Sequence, residues 1–144
     1  MSTLLTTDAE LSQLLESAKT IAMVGVSANE SRASFGVAKY LQEVGYEIYP
    51  VNPQLSSWQG ITAYPSVAAI GKPVDIVDVF RGSEFLLAVV EDAIASATGA
   101  VWAQLGVSDD AAIARASEAG IPIVVNHCAK MEHRRLIAGR ESSR

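Results

Sequence analysis

The chain has 144 residues, 49% hydrophobic and 19% charged, which makes it one ordinary domain and too apolar to stay disordered. Its 16 acidic and 11 basic side chains leave a net charge of −5, which argues against nucleic acid as a partner, because phosphate contacts need a basic footprint. One cysteine, Cys128, excludes an internal disulfide; with no leader pattern and no apolar run of membrane-spanning length, a soluble cytoplasmic protein is expected.

Thr7-Asp8-Ala9-Glu10 is a capping box that opens a helix with Leu11, Leu14 and Leu15 on one stripe. Thr20–Val26 is apolar without alternation, as a parallel strand buried on both faces should be. A helix follows over Ser34–Val44 and stops at Gly45, and Tyr46–Val51 is a second strand closed by Asn52-Pro53. The stretch Pro53–Ile70 is irregular, with a brief helical turn expected near Tyr64-Pro65-Ser66. Val74–Phe80 is a third strand. Ser83 then caps a helix that carries Phe85, Leu86, Val89, Val90 and Ile94. Ala100–Ala103 is the fourth strand, Ser108-Asp109-Asp110 starts a helix that ends at Gly120, and Ile121–Val125 is the fifth strand. A last helix is expected from Met131, with a loose tail over 137–144. Strands alternating with helices through short loops predict one doubly wound α/β domain, 1–144: a mainly parallel five-stranded sheet with helices on both faces.

Ligands of such sheets sit beyond the carboxyl ends of the strands. The first loop there, Gly25-Val-Ser-Ala-Asn-Glu-Ser-Arg-Ala-Ser-Phe-Gly36, suits phosphate. Gly25 permits close backbone approach, and Ser27, Arg32 and Ser34 offer donors at a helix N-terminus. A plain turn with a solvated arginine is the competing reading. The loop fits neither the P-loop, since Glu30 and Ser31 stand where glycine and lysine belong, nor G-x-G-x-x-G, since Ser27 and Glu30 replace two glycines. Asn52-Pro53 also stands where a ribose-binding acid would follow the second strand, which disfavours an ordinary NAD site.

Six segments then carry a resemblance. They are Ile21-Ala-Met-Val-Gly-Val-Ser27 with Arg32 and Ser34, Val37-Ala-Lys-Tyr-Leu41, Tyr49-Pro-Val-Asn-Pro53, Val74–Arg81, Val101-Trp-Ala-Gln-Leu-Gly106 and Cys128-Ala-Lys-Met-Glu-His133. In this order the chain resembles the small stand-alone CoA-binding proteins, which are similar to the N-terminal CoA-binding domain of the succinyl-CoA synthetase α subunit. The resemblance implies a Rossmann-like domain with coenzyme A or an acyl-CoA along the carboxyl edge. It implies Gly25, Ser27, Arg32 and Ser34 at the phosphates, and Asn52 and Pro53 at the nucleotide half. Phe80 and Arg81 would line the next loop, with Gln104 and Cys128 toward the pantetheine. The family pattern has Asp-Arg before the cysteine, where this chain has Asn126-His127.

Other constellations are weaker. Asp75 and Asp78 lie at odd spacing on a strand and so face opposite sides, which argues against a paired acid/base site. Adjacent His127 and Cys128 make a poor nucleophile–base pair, and with His133 they lack zinc-ligand spacing. Trp102 reads as core and Trp58 as a cover for a ligand or partner chain. The basic tail of Lys130, Arg134, Arg135, Arg140 and Arg144 is a solvated face or a further anion contact. The leading expectation is a CoA-binding, carrier or regulatory protein without its own catalysis. The alternatives are a small NAD(P)-dependent oxidoreductase, Cys128-based thiol exchange with CoA disulfide, or an adaptor with a vestigial site. Oligomeric state is not legible.

Overall fold

A computed structural model describes residues 3–139. Its strands are β1 (Thr20–Val24), β2 (Glu47–Val51), β3 (Ser57–Trp58), β4 (Ile61–Thr62), β5 (Ile76–Val79), β6 (Ala100–Ala103) and β7 (Ile123–Val124). Five of them form a parallel sheet in the order β2-β1-β5-β6-β7, while β3 and β4 pair as a separate antiparallel hairpin. The helices are α1 (Asp8–Ser17), α2 (Ala33–Glu43), α3 (Leu86–Ala95), α4 (Asp110–Ala119) and α5 (Ala129–His133).

Successive strand residues face opposite sides, so the sheet divides the core into two layers. Ala22, Val24, Val77 and Val79 pack with Leu86, Val89 and Val90 of α3 and Ala112 and Ala116 of α4. Ile21, Met23, Ile76 and Trp102 pack with α1, α2 and α5 through Leu11, Leu15, Val37, Leu41 and Ala129. This is the expected Rossmann-like α/β fold, and it explains why β1 lacks an alternating pattern. A fully buried side chain of this kind contributes about 1.5–3 kcal/mol. The capping box is formed: Glu10 N donates to Thr7 Oγ1 at 3.2 Å, and Thr7 N donates to Glu10 Oε1 at 3.0 Å.

Several local expectations are corrected. β1 ends at Val24 rather than Val26, because Gly25 takes φ +88° and turns the chain out of the sheet. β7 starts only after Pro122, which has no N–H for a ladder, and Asn126 with φ +57° turns the chain just beyond it. Ser83 does not cap the third helix. Gly82 precedes a 3-10 turn (Ser83–Phe85), while the Ser83 hydroxyl donates to Gly106 O and accepts from Ser108 N, joining two loops. At α4 the capping side chain is Asp109, which accepts from Ala112 N.

The stretch expected to be irregular contains the β3–β4 hairpin, turned by Gln59 and Gly60 with φ +50° and +79°. Positive φ at both central residues is what a tight two-residue hairpin needs. Tyr64 then bridges to Val51 of β2, and the helical turn falls at Ala68–Ile70. At the opposite edge, Leu4 bridges to Ile123 of β7. The last helix begins at Ala129, ahead of Met131, and continues as a π-helical turn over Arg134–Ala138. Leu136 and Ile137 of that turn pack on the α1/α2 layer, and residues 140–144 of the expected tail lie outside the described residues.

Candidate functional site

The strand order reverses between β1 and β5: the chain runs outward from β1 to β2, then crosses back to β5 on β1's other side. A crevice at the carboxyl ends of these strands is the expected ligand position for this order. Gly25 and Arg81 meet there. A Cβ on Gly25 would lie 3.1 Å from Arg81 Cγ and 3.2 Å from the Phe80 carbonyl oxygen, so glycine is required both for φ and for space.

Beside them lies a cavity of about 450 Å³. Gly25, Asn52, Pro53, Val67, Arg81 and Asp92 are among its lining residues. Pro53, Pro65, Val67 and Val89 give it apolar walls, with charge from Arg81 and Asp92. Asp92 Oδ2 accepts from Val67 N at 3.1 Å, which ties α3 to the far wall. The Arg81 guanidinium stacks 3.9 Å above the Phe85 ring, which keeps this exposed cation at the cavity mouth.

The loop from Gly25 to Arg32 starts at this crevice and is held both by its own polar groups and by side chains of neighbouring elements. Ser27 N donates to Ser34 Oγ at 3.0 Å, Asn29 N to Ser27 Oγ at 3.0 Å, and Ser31 N to Asn29 Oδ1 at 3.0 Å. Arg32 is the N-cap residue of α2 and is exposed, so a guanidinium and a helix N-terminus stand together. Ser34 is buried and serves Ser27 rather than facing solvent. Asn52 is likewise a brace: its Nδ2 donates to Val26 O at 2.9 Å and its Oδ1 accepts from Gln54 N at 2.9 Å.

The remaining expected residues are dispersed on the other face of the sheet. Phe80 and Cys128 are half-buried against the α1/α2/α5 layer, with Cys128 as the N-cap residue of α5. Gln104 is buried, its Nε2 donating to Asp78 Oδ1 at 2.5 Å. Burial pushes the Asp78 carboxyl up to about 7, against the opposing pull of the Gln104 bond. Its Oδ2 has no hydrogen-bond partner among the described residues. Asp75 points away as expected: it is exposed and accepts from Lys19 N at 2.7 Å and Thr20 N at 3.1 Å. Partial burial raises its carboxyl, but those backbone N–H groups outweigh this and hold it below its ordinary range.

His127 and Cys128 do not form a working pair. The His127 ring is turned onto Val125 O, with Nδ1 at 2.7 Å; a carbonyl only accepts, so Nδ1 carries the proton. Among the described residues no group of three His, Cys, Asp or Glu side chains is placed to hold a metal ion. No helix there is long and apolar enough to cross a membrane. In the basic tail, Arg135 binds Asp8 at 2.8 Å and Glu132 at 2.6 Å, clamping α5 to α1 instead of facing the cavity. Lys130 sits over the Tyr40 ring, and Arg140 and Arg144 lie outside the described residues.

Sequence reasoning overlooked Asp92, whose partner Val67 is 25 positions away, and misplaced Trp58. Trp58 is buried rather than a cover. Its indole donates to Ser27 O at 3.0 Å, and its ring packs on Phe35 with centroids 5.4 Å apart. The Gln59-Gly60 pair was the available signal for a hairpin there.

The chain is 38% identical over 125 residues to the uncharacterized protein YneT of Bacillus subtilis, spanning 87% of this chain and 93% of that one. It shares 31% identity over 58 residues with an ADP-forming acetate–CoA ligase of Methanocaldococcus jannaschii, covering 40% of this chain but 8% of the ligase. A solved hypothetical protein from Pyrococcus horikoshii matches with a TM-score of 0.89 at 39% identity, covering 92% of this chain and 93% of that one. Residues 19–134 match the model of the CoA binding domain, and the chain therefore belongs to the CoA-binding domain family.

Proposed function

We propose that the protein binds coenzyme A or an acyl-CoA at the carboxyl edge of the sheet, as a binding, carrier or regulatory protein without a reaction of its own. The observation that carries the reading is the meeting of Gly25, Arg81 and the Pro53 wall at the β1/β5 switch, beside the donor-rich loop that ends at Arg32. The phosphates take the Gly25 backbone, the Ser27 hydroxyl, Arg32 and Arg81. An accepting hydroxyl such as that of Ser27 still has a proton to donate to a phosphate oxygen. Ser34 and Asn52 act through the loop that they hold. The apolar cavity beside Asn52 and Pro53 takes the nucleotide base, a flat group that needs such walls and a few polar contacts. Phe80, Gln104 and Cys128, on the opposite layer, border the pantetheine arm in this reading. A CoA ligand and a lone reduced cysteine suit a cytoplasmic setting.

His127 Nδ1 is held on Val125 O, so in this reading His127 is not assigned as a base for Cys128. Titration calorimetry with CoA, acetyl-CoA, NAD and NADP tests the proposal. Saturable heat with CoA or acetyl-CoA is expected; silence with both, beside binding of NAD, would overturn it.

A further inference from the structure

The protein has two tryptophans, both buried, and each donates its indole N–H to a backbone carbonyl of a carboxyl-edge loop. Trp58 Nε1 donates to Ser27 O at 3.0 Å, and Trp102 Nε1 donates to His127 O at 2.8 Å. We infer that Trp58 and Trp102 are positioning residues for CoA, Trp58 fixing the loop that meets the phosphates and Trp102 fixing the loop that leads to Cys128.

The Trp58 arm rests on several contacts that converge on two successive residues. Val26 O takes the Asn52 amide, Ser27 O takes the Trp58 indole, and Ser27 N donates to the Ser34 hydroxyl. Beyond Ser27, residues 28–33 are exposed and free to face a ligand. Fixing the root of such a loop before binding lowers the ordering cost that an anion would otherwise bear. The β3–β4 hairpin has two residues per strand, too few to stand alone, and its buried side chain is Trp58, packed on Phe35 in the first turns of α2. The hairpin therefore reads as a strut between the loop and the α2 N-terminus. Phenylalanine would fill the same space but supply no donor, so the indole nitrogen is the informative atom.

The Trp102 arm stands on the opposite side of β5. β7 ends at Val124, and the chain leaves it through Asn126 at φ +57°. Asn126 Oδ1 accepts from Gly106 N at 2.7 Å while the Trp102 indole holds His127 O, so the loop is gripped on both sides immediately before Cys128.

The inference rests on the CoA reading, and the experiment separates the two. Full-length protein labelled with ¹⁵N and ¹³C gives one indole N–H resonance per tryptophan, assigned through bonds in the unmodified sequence. Titration with ADP, which has the base and pyrophosphate but no pantetheine, should shift Trp58 and leave Trp102 in place. Titration with CoA should shift both, along the same saturation curve as the calorimetry. Trp58→Phe should stay folded and bind CoA about fivefold to tenfold more weakly, the value of one lost hydrogen bond. A tryptophan with a merely structural role would leave its resonance unmoved. CoA binding with an unshifted Trp58 resonance would overturn the inference and spare the function, as would full affinity in Trp58→Phe. No CoA binding by the wild-type chain would overturn both. The resonance measurement uses the unmodified sequence, so it decides the matter even where the variant does not fold.

Discussion

At the amino end of β5, Asp75 is exposed and accepts hydrogen bonds from the backbone N–H groups of Lys19 and Thr20, while its own N–H donates to Thr20 Oγ1. At the carboxyl end, three residues on, Asp78 is sealed in the core with one bond from Gln104 and a second oxygen without a partner among the described residues. The two carboxyls move in opposite directions, Asp75 below its ordinary range and Asp78 up to about 7. At the amino edge Tyr46 Oη likewise donates to Leu15 O, while the carboxyl edge brings together a positive-φ glycine, a cavity and an exposed cation at the β1/β5 crevice. The amino edge has strain of its own, with Ala97 at φ +56° and the buried Ser96 and Thr98 hydroxyls without partners among the described residues. What sets the carboxyl edge apart is the meeting of glycine, cavity and cation at the strand-order switch.

The largest effect should come from removing the buried charge. Between pH 3.8 and about 7 the folded state keeps the Asp78 proton and the unfolded state releases it, so the stability of the wild type falls as pH rises through that window. Asp78→Asn removes this dependence. Its advantage over wild type should grow from pH 4 to pH 8 and reach at most about 4 kcal/mol, at about 1.4 kcal/mol per unit. Urea melts at several pH values measure it, and parallel pH profiles for the two proteins would show that Asp78 ionises freely in the fold.

Next in size is Gly25→Ala. A Cβ at φ +88° pressed on the Phe80 carbonyl should destabilise the fold by about 1–3 kcal/mol and abolish saturable CoA heat. Retained affinity would move the ligand away from the β1/β5 crevice. Arg32→Ala should weaken CoA binding by about tenfold to a hundredfold with no change in melting, since the side chain is exposed and its value lies in a charge-assisted contact. An unchanged dissociation constant would remove Arg32 from the site.

At the amino edge, Asp75→Ala should lose about 1–2 kcal/mol at pH 7, from its two backbone hydrogen bonds, with CoA affinity intact. Because the folded carboxyl titrates below 3.8, its contribution is present above that pH and is lost as pH falls through the folded value, so the gap to wild type should narrow in acid. A change in CoA affinity there would break the division between the two edges.

The order of elements and the two-sided burial of β1 could be read along the chain, because apolar runs and caps are local signals. Gly25 and Arg81 were legible as loop residues after strands. Their contact was not, since it depends on strand order, which local patterning does not contain. The sequence offers Ser34 as a donor to phosphate, Asn52 as a border of the nucleotide half and Ser83 as a helix cap, and in the fold each binds backbone groups of neighbouring segments instead. A polar side chain shows its chemistry in the sequence, but the partner that occupies it is set by tertiary packing. Trp58 is the clearest case: its residue type suggests an apolar cover, yet the consequential atom is one nitrogen held by a carbonyl 31 positions away.

The outer strands of the sheet bear on how the molecule behaves in a crowd of its own copies. Tyr64 lies along β2, with Asn52 N donating to Tyr64 O and Tyr64 N to Pro50 O; Leu4 lies along β7, with Leu5 N donating to Ile123 O and Ile123 N to Thr3 O. Non-strand segments thus occupy backbone groups that would otherwise template a foreign strand. The chain can keep a short, apolar parallel sheet without inviting edge-to-edge polymerisation, and association between copies is directed toward side chains rather than toward the ladder.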